Sequence, residues 1–200
     1  MATNRRKVGA LIFPGFELLD LFGPLEMLGM LPDYYDLHLV AQTSGPVQSN
    51  QQVSAYATSD LTDEPDFDIL FVPGGAGTRL GVSDTVLLEW IMRASDVAEF
   101  TVSVCTGSAL LAKAGVLDGR RATTNKLAFD WVMQQGPKVN WIRRARWVQD
   151  DQFVTSSGVS AGTDMSLALI ELMHGRELAE KVAHWAEYTW NSDPQHDPFA

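Results

Sequence analysis

Residues 100–114 read FTVSVCTGSALLAKA: an apolar strand runs into the only cysteine of the chain, Cys105, and small residues and an amphipathic helix follow. A nucleophile held between strand and helix needs a tight turn with small neighbours, and Ser103 and Gly107 supply them two positions before and after. The helix beginning near Thr106 turns unpaired N–H groups and its positive end toward the sulfur, which favours thiolate over thiol. The spacing predicts a reactive thiol, against the alternative of a buried space-filler.

A thiol is usually activated by His. Here His38 alternates with apolar neighbours in a strand, His174 precedes Gly175 at a helix end, His184 lies on a late helix and His196 in the tail. His184 is the least unsuitable, and no pair has metal-ligand spacing. The better partner is Asp20, set among Leu18, Leu19, Leu21 and Phe22 at the start of the first helix. Partial burial would raise its pKa and let it keep a proton to donate, the two groups titrating as a pair. The competing reading is a helix cap, and Glu17 and Glu26 rank lower because their surroundings or helical phase turn them away.

The elements that must position these residues alternate between apolar runs and helical periods, which predicts an α/β protein with a mostly parallel sheet. Strands are expected over 7–13, 37–42, 68–72 and through the elbow. Helices are expected from Leu18 to a stop at Pro32, and over about 84–94, 161–173 and 177–188. Residues 47–58 read as a hairpin or edge excursion, and 147–149 with 153–156 as a hairpin through Asp150-Asp151. The strand over 68–72 ends in PGGAG (73–77), a loop whose glycines let backbone N–H groups approach a ligand closely. Both loops follow strand carboxyl ends, the ligand edge of open α/β sheets, so they can line one pocket.

Composition bounds the function. The 200 residues with 46% hydrophobic content suit one domain, 1–200. One cysteine allows no internal disulfide, and neither a signal-peptide run nor a membrane span is evident, so a soluble, cytoplasmic protein is expected. With 15 basic and 25 acidic residues the net charge is −10, which argues against a nucleic-acid partner. The short basic run Arg143, Arg144 and Arg146 reads as a solvated face. The glycine loop matches no phosphate-binding fingerprint, and no cofactor or metal is expected.

FPGFELLDLFGP (13–24), VPGGAG (72–77), SVCTGSALLAKAGVLDGRRATTN (103–125) and SAGTDMSLALIEL (160–172) together resemble the ThiJ/PfpI superfamily, also called class I glutamine amidotransferase-like, over almost the whole chain. The resemblance implies a flavodoxin-like three-layer α/β sandwich, a homodimer, a nucleophile at Cys105 hydrogen-bonded to an acid at Asp20, and an anion pocket from the amides of Gly75 and Thr106. The substrate pocket would include Gly75, Ala76 and Gly107, with Thr106 in the catalytic set. Protease members carry His where Thr106 stands, and the deglycase and glyoxalase-type members usually carry Glu where Asp20 stands. Asp20 with the CTGS elbow looks more like the isocyanide (isonitrile) hydratase branch, and equally like the sensor domain of certain AraC-type regulators. Those regulators carry a helix-turn-helix domain, not expected in a chain ending at Ala200, and many hydratase-like sequences have His where Asn125 stands. The activity implied is hydration of a small isocyanide. Glyoxalase or deglycase chemistry on a reactive carbonyl and a non-catalytic redox-sensing or ligand-binding role are the alternatives.

Overall fold

The computed structural model describes residues 5–200, so the first four residues of the amino-terminal stretch lie outside it. In chain order the elements are β1 (Arg6–Leu11), α1 (Leu18–Gly29), β2 (Tyr35–Ala41), β3 (Gly45–Gln48), β4 (Ser54–Ala57), β5 (Ser59–Asp60), β6 (Ile69–Val72), α2 (Thr78–Gly81), α3 (Thr85–Val97) and β7 (Phe100–Ser103). They continue with α4 (Gly107–Lys113), β8 (Arg121–Ala122), α5 (Phe129–Gln135), β9 (Asn140–Trp141), β10 (Trp147–Asp150), β11 (Phe153–Ser156), α6 (Ala161–His174) and α7 (Arg176–Trp185).

A seven-stranded sheet runs in the order β10-β11-β7-β6-β1-β2-β5, parallel throughout except for the β10–β11 hairpin. β1 and β6 are fully apolar at their carboxyl halves and buried on both faces, as central parallel strands must be. From β1 the chain first steps outward to β2 and then returns to lay β6 on the other side. Strand order therefore reverses between β1 and β6, the position at whose carboxyl ends open α/β sheets form their ligand crevice. Right-handed crossovers in opposite directions put the helices on opposite faces. Accordingly α1 packs on α6 and α6 on α7, whereas α2, α3 and α5 pack on α4. This is the flavodoxin-like sandwich expected.

The 47–58 stretch forms the antiparallel β3–β4 hairpin. The expectation of a wholly solvated basic run is corrected at Arg146. Arg143 and Arg144 are exposed, but Arg146 is buried and holds Asp164 through two contacts of 2.8 and 2.6 Å. Asp164 also accepts from Tyr188 Oη and the Asn191 amide, and the buried Asp197 lies 3.7 Å from Lys126 Nζ. The polar tail is thus strapped onto the body by buried charge, with Arg146 and Asp197 donating their amides to the carbonyls of Pro194 and Arg144.

Candidate active site

Three chain segments meet at the crevice. The turn after β1 leads into α1 and carries Asp20; the glycine loop follows β6; Cys105 follows β7. The first two are stitched together, because Glu17 N donates to Gly74 O at 2.9 Å and Gly77 N to Gly15 O at 3.1 Å. Within α1, Leu19 and Phe22 face solvent while Asp20, Leu21 and Pro24 face inward. Pro24 has no N–H to give the Asp20 carbonyl four residues back.

Cys105 occupies the left-handed region at φ 56°, which is sparsely populated by any residue but glycine and stores strain at the turn. Its backbone is pinned on three sides. The amide donates to Ser157 O at 3.0 Å, and the carbonyl accepts from Ser108 Oγ at 3.0 Å and Thr124 Oγ1 at 2.8 Å. Over-determination of this kind lets a strained nucleophile turn persist.

Asp20 is fully buried. Its Oδ2 accepts the Gly74 amide at 2.9 Å, and Oδ1 is buried with no protein hydrogen bond of ordinary geometry among the described residues. Glycine is required at 74 because a Cβ there would lie 2.6 Å from Thr106 N and 2.8 Å from Asp20 Oδ2. Burial raises the Asp20 pKa from 3.8 to about 7, helped by the nearby Glu17 charge and opposed by the Gly74 amide and the Cys105 thiol. Glu17 itself is held by Asn50 and Gln51, away from the thiol.

The sulfur departs from the expectation of a lowered pKa. Burial and the Asp20 charge push the thiol up from 9.0 to about 12, while the amides of Thr106 and Val159 pull the other way. The helix behind it spans only seven residues, too short an assembly of dipoles to overcome removal from water. The Asp20–Cys105 contact works in the sense of a thiol donating to a carboxylate, raising one group and lowering the other. No histidine is among the groups that perturb either.

The pocket residues divide. The Gly75 amide, assigned in sequence to an anion pocket, instead donates to Thr106 Oγ1 at 3.1 Å. Thr106 Oγ1 also lies 3.1 Å from Thr78 Oγ1, so its hydroxyl ties the glycine loop to the elbow. Ala76 is exposed at the loop tip. Gly107 lies behind the elbow, where a Cβ would sit 2.2 Å from Val72 O, so it is a packing glycine and not a pocket wall. Asn125 accepts the Ala128 amide at 3.0 Å and packs against Gly158.

Sequence reasoning missed Val159, whose amide reaches the sulfur from a backbone at φ 38°, an outlier for a β-branched residue. The small residues around it, SSGVSAG (156–162), were the one available signal. It also missed Thr124. An apolar cavity of about 400 Å³ lined by Ile12, Phe13, Ala41, Val47, Leu80 and Leu87 holds neither Asp20 nor Cys105. Among the described residues no cluster of three or more His, Cys, Asp or Glu could hold a metal, and no helix is long and apolar enough to cross a membrane.

Residues 6–172 match the DJ-1/PfpI family. The chain belongs to that family. It is 36% identical over 183 residues to an isonitrile hydratase of Pseudomonas putida, covering 91% of this chain and 78% of that protein. It is 30% identical over 177 residues to the HTH-type transcriptional regulator CdhR of Pseudomonas aeruginosa, and there spans 52% of the regulator's length. A ThiJ/PfpI family protein from Pseudomonas syringae superposes with a TM-score of 0.85 at 30% identity, covering 98% of this chain and 79% of that one.

Proposed function

We propose that the protein is a cysteine-dependent hydratase that converts a small isocyanide into an N-substituted formamide and needs no cofactor. The observation that carries the reading is a buried carboxyl set against a buried thiol, with no histidine acting on either. Likeness to an isonitrile hydratase over most of the chain supports it.

The chemistry follows from the protons. With one group titrating at about 7 and the other at about 12, the pair holds a single proton over the range between. In that state sulfur can attack the terminal isocyanide carbon while Asp20 passes the shared proton to the same carbon. The C–S bond forms, the S–H proton ends on carbon, and a thioformimidate results. The Asp20 carboxylate then accepts a proton from water as it adds to that carbon. Asp20 hands that proton to the nitrogen, the tetrahedral adduct expels the Cys105 sulfur while its hydroxyl proton passes through Asp20 to the sulfur, and formamide leaves with thiol restored. A carboxyl titrating near neutrality suits both directions of transfer. The amides of Thr106 and Val159, aimed at the sulfur, favour its anionic form during attack and expulsion.

The test is formamide production from a simple alkyl isocyanide, compared with methylglyoxal consumption in the same buffer. Faster isocyanide turnover supports the hydratase reading, and the reverse order assigns carbonyl chemistry. No turnover of either favours the sensor or ligand-binding role, which the likeness to a regulator supports. We also propose a homodimer of single-domain chains in the cytoplasm, with the exposed Leu19 and Phe22 of α1 as contact residues. Sedimentation of wild type against Phe22→Glu tests the dimer.

A further inference from the structure

The glycine loop continues directly into α2, whose second residue is Arg79. Its guanidinium carbon sits over the Trp131 ring, 3.4 Å from the centroid. A planar cation on an aromatic face is held in place without being neutralised. Among the described residues no carboxylate pairs with it, as none pairs with the side chains of Arg93, Arg121 or Arg144, whereas Arg6, Arg120, Arg143, Arg146 and Arg176 have acidic partners; of the unpaired arginines Arg79 alone is stacked on an aromatic ring.

Its position points at the chemistry. The preceding residue, Thr78, reaches the Thr106 hydroxyl at 3.1 Å, and Thr106 follows Cys105. Trp131 comes from α5, packed against the elbow helix α4. The guanidinium is near enough to feel the sulfur's charge, while the residue stays exposed. An unpaired cation, fixed by stacking at the edge of a site in a protein of net charge −10, has little use for a neutral substrate.

We propose that Arg79 is a specificity residue that receives a carboxylate on the substrate, so that the preferred electrophile is a small anionic molecule with its reactive carbon a few bonds from the charge. Applied to isocyanides, the inference rests on the hydratase reading; applied to access to Cys105, it does not. Trp131 holds the fork in place, and a lysine, which cannot present a bidentate fork or stack as a plane, serves only in part.

The experiment is built to separate the two readings. Cys105 in the intact protein is alkylated at pH 8 with iodoacetate and with iodoacetamide, reagents of nearly equal size that differ in charge. The ratio of the two rates cancels any change in thiol reactivity. In Arg79→Gln the iodoacetate-to-iodoacetamide ratio is expected to fall at least fivefold, in Arg79→Lys by less, and added salt should lower it in wild type only toward the Arg79→Gln value. An unchanged ratio in Arg79→Gln overturns the proposal. In parallel, isocyanoacetate and its methyl ester are offered as substrates, and wild type is expected to favour the anion in kcat/KM by a margin that Arg79→Gln loses. Equal loss for both substrates would make Arg79 a structural residue and overturn the specificity role. If neither isocyanide is turned over while the alkylation ratio still falls, the hydratase reading fails and the anion role of Arg79 stands.

Discussion

Replacing Asp20 by Asn should make the protein slower and, above neutral pH, more stable. Moving a carboxyl from 3.8 to about 7 makes its ionised form about 4 kcal/mol costlier in the folded protein. The folded state keeps the proton up to about 7 while the unfolded state loses it near 4, so stability falls as pH rises through that window. Asn has no proton to lose and keeps the Gly74 contact through its amide oxygen, but it leaves an N–H2 against the sulfur, an unmet donor costing about 1–3 kcal/mol. At pH 4, where Asp20 is neutral, the variant should therefore be the less stable by about 2 kcal/mol. At pH 8 it should be the more stable by about 2 kcal/mol, or about 4–8 °C in Tm for a chain of this length.

Calorimetry or thermal melts of the two proteins at pH 4 and pH 8 measure the swing. A Tm difference of one sign and size at both values would mean that Asp20 bears no burial cost, and the proton-sharing argument would fall with it. Activity gives the matching readout. Wild-type kcat/KM should rise with pH through about 7, as the pair drops from two protons to one, and the variant should lose that limb along with about 10²-fold in rate.

Cys105→Ala should abolish turnover and thiol labelling with the fold intact by circular dichroism. Cys105→Gly should be equally inactive yet melt no lower than Cys105→Ala, since glycine accepts a φ of 56° without the roughly 1–2 kcal/mol that other residues incur there. Gly74→Ala should cost about 1–3 kcal/mol in urea denaturation and most of the activity, because its methyl would crowd Thr106 and Asp20 together. Burial lowers the Lys126 pKa from 10.5 to about 8 against the pull of Asp197. The stability of wild type relative to Lys126→Met should consequently rise with pH between about 8 and 10.5, the thiol and tyrosine contributions being common to both proteins.

What was legible in the sequence followed local rules, and what was not depended on contacts between distant segments. The βα alternation, both hairpins and the Cys105 elbow are written in hydrophobic period and in small residues at fixed offsets, which neighbouring positions alone determine. Asp20 could be found because a lone acid among leucines beside a strand end is anomalous locally. By contrast α2 is four residues long, and α5 opens without a side-chain cap, so neither carries a start signal. Arg146 looked like its exposed neighbours Arg143 and Arg144, since only the fold brings Asp164 to it across 18 residues.

The thiol shows the same division, with chemical consequences. A helix start after a cysteine is visible in sequence and argues for a low pKa, but the depth at which the elbow sits is a property of the whole sheet, and burial outweighs the dipole. A thiol held near 12 is a weak nucleophile until a base removes its proton. A carboxyl at its ordinary 3.8 would be too weak a base to help, but one raised to about 7 by the same burial is not. Desolvation thus disables the cysteine and enables its partner at once, which is why the two residues must be read as a pair. It also fixes where the pair is vulnerable: any substitution that admits water to Asp20 should lower its pKa, move the acid limb of the rate profile below 7 and slow proton delivery, even with both residues in place. Leu21→Ser, beside Asp20 and fully buried, is the variant that tests this, and an acid limb unmoved in it would show that solvent exclusion does not set the pair's pKa.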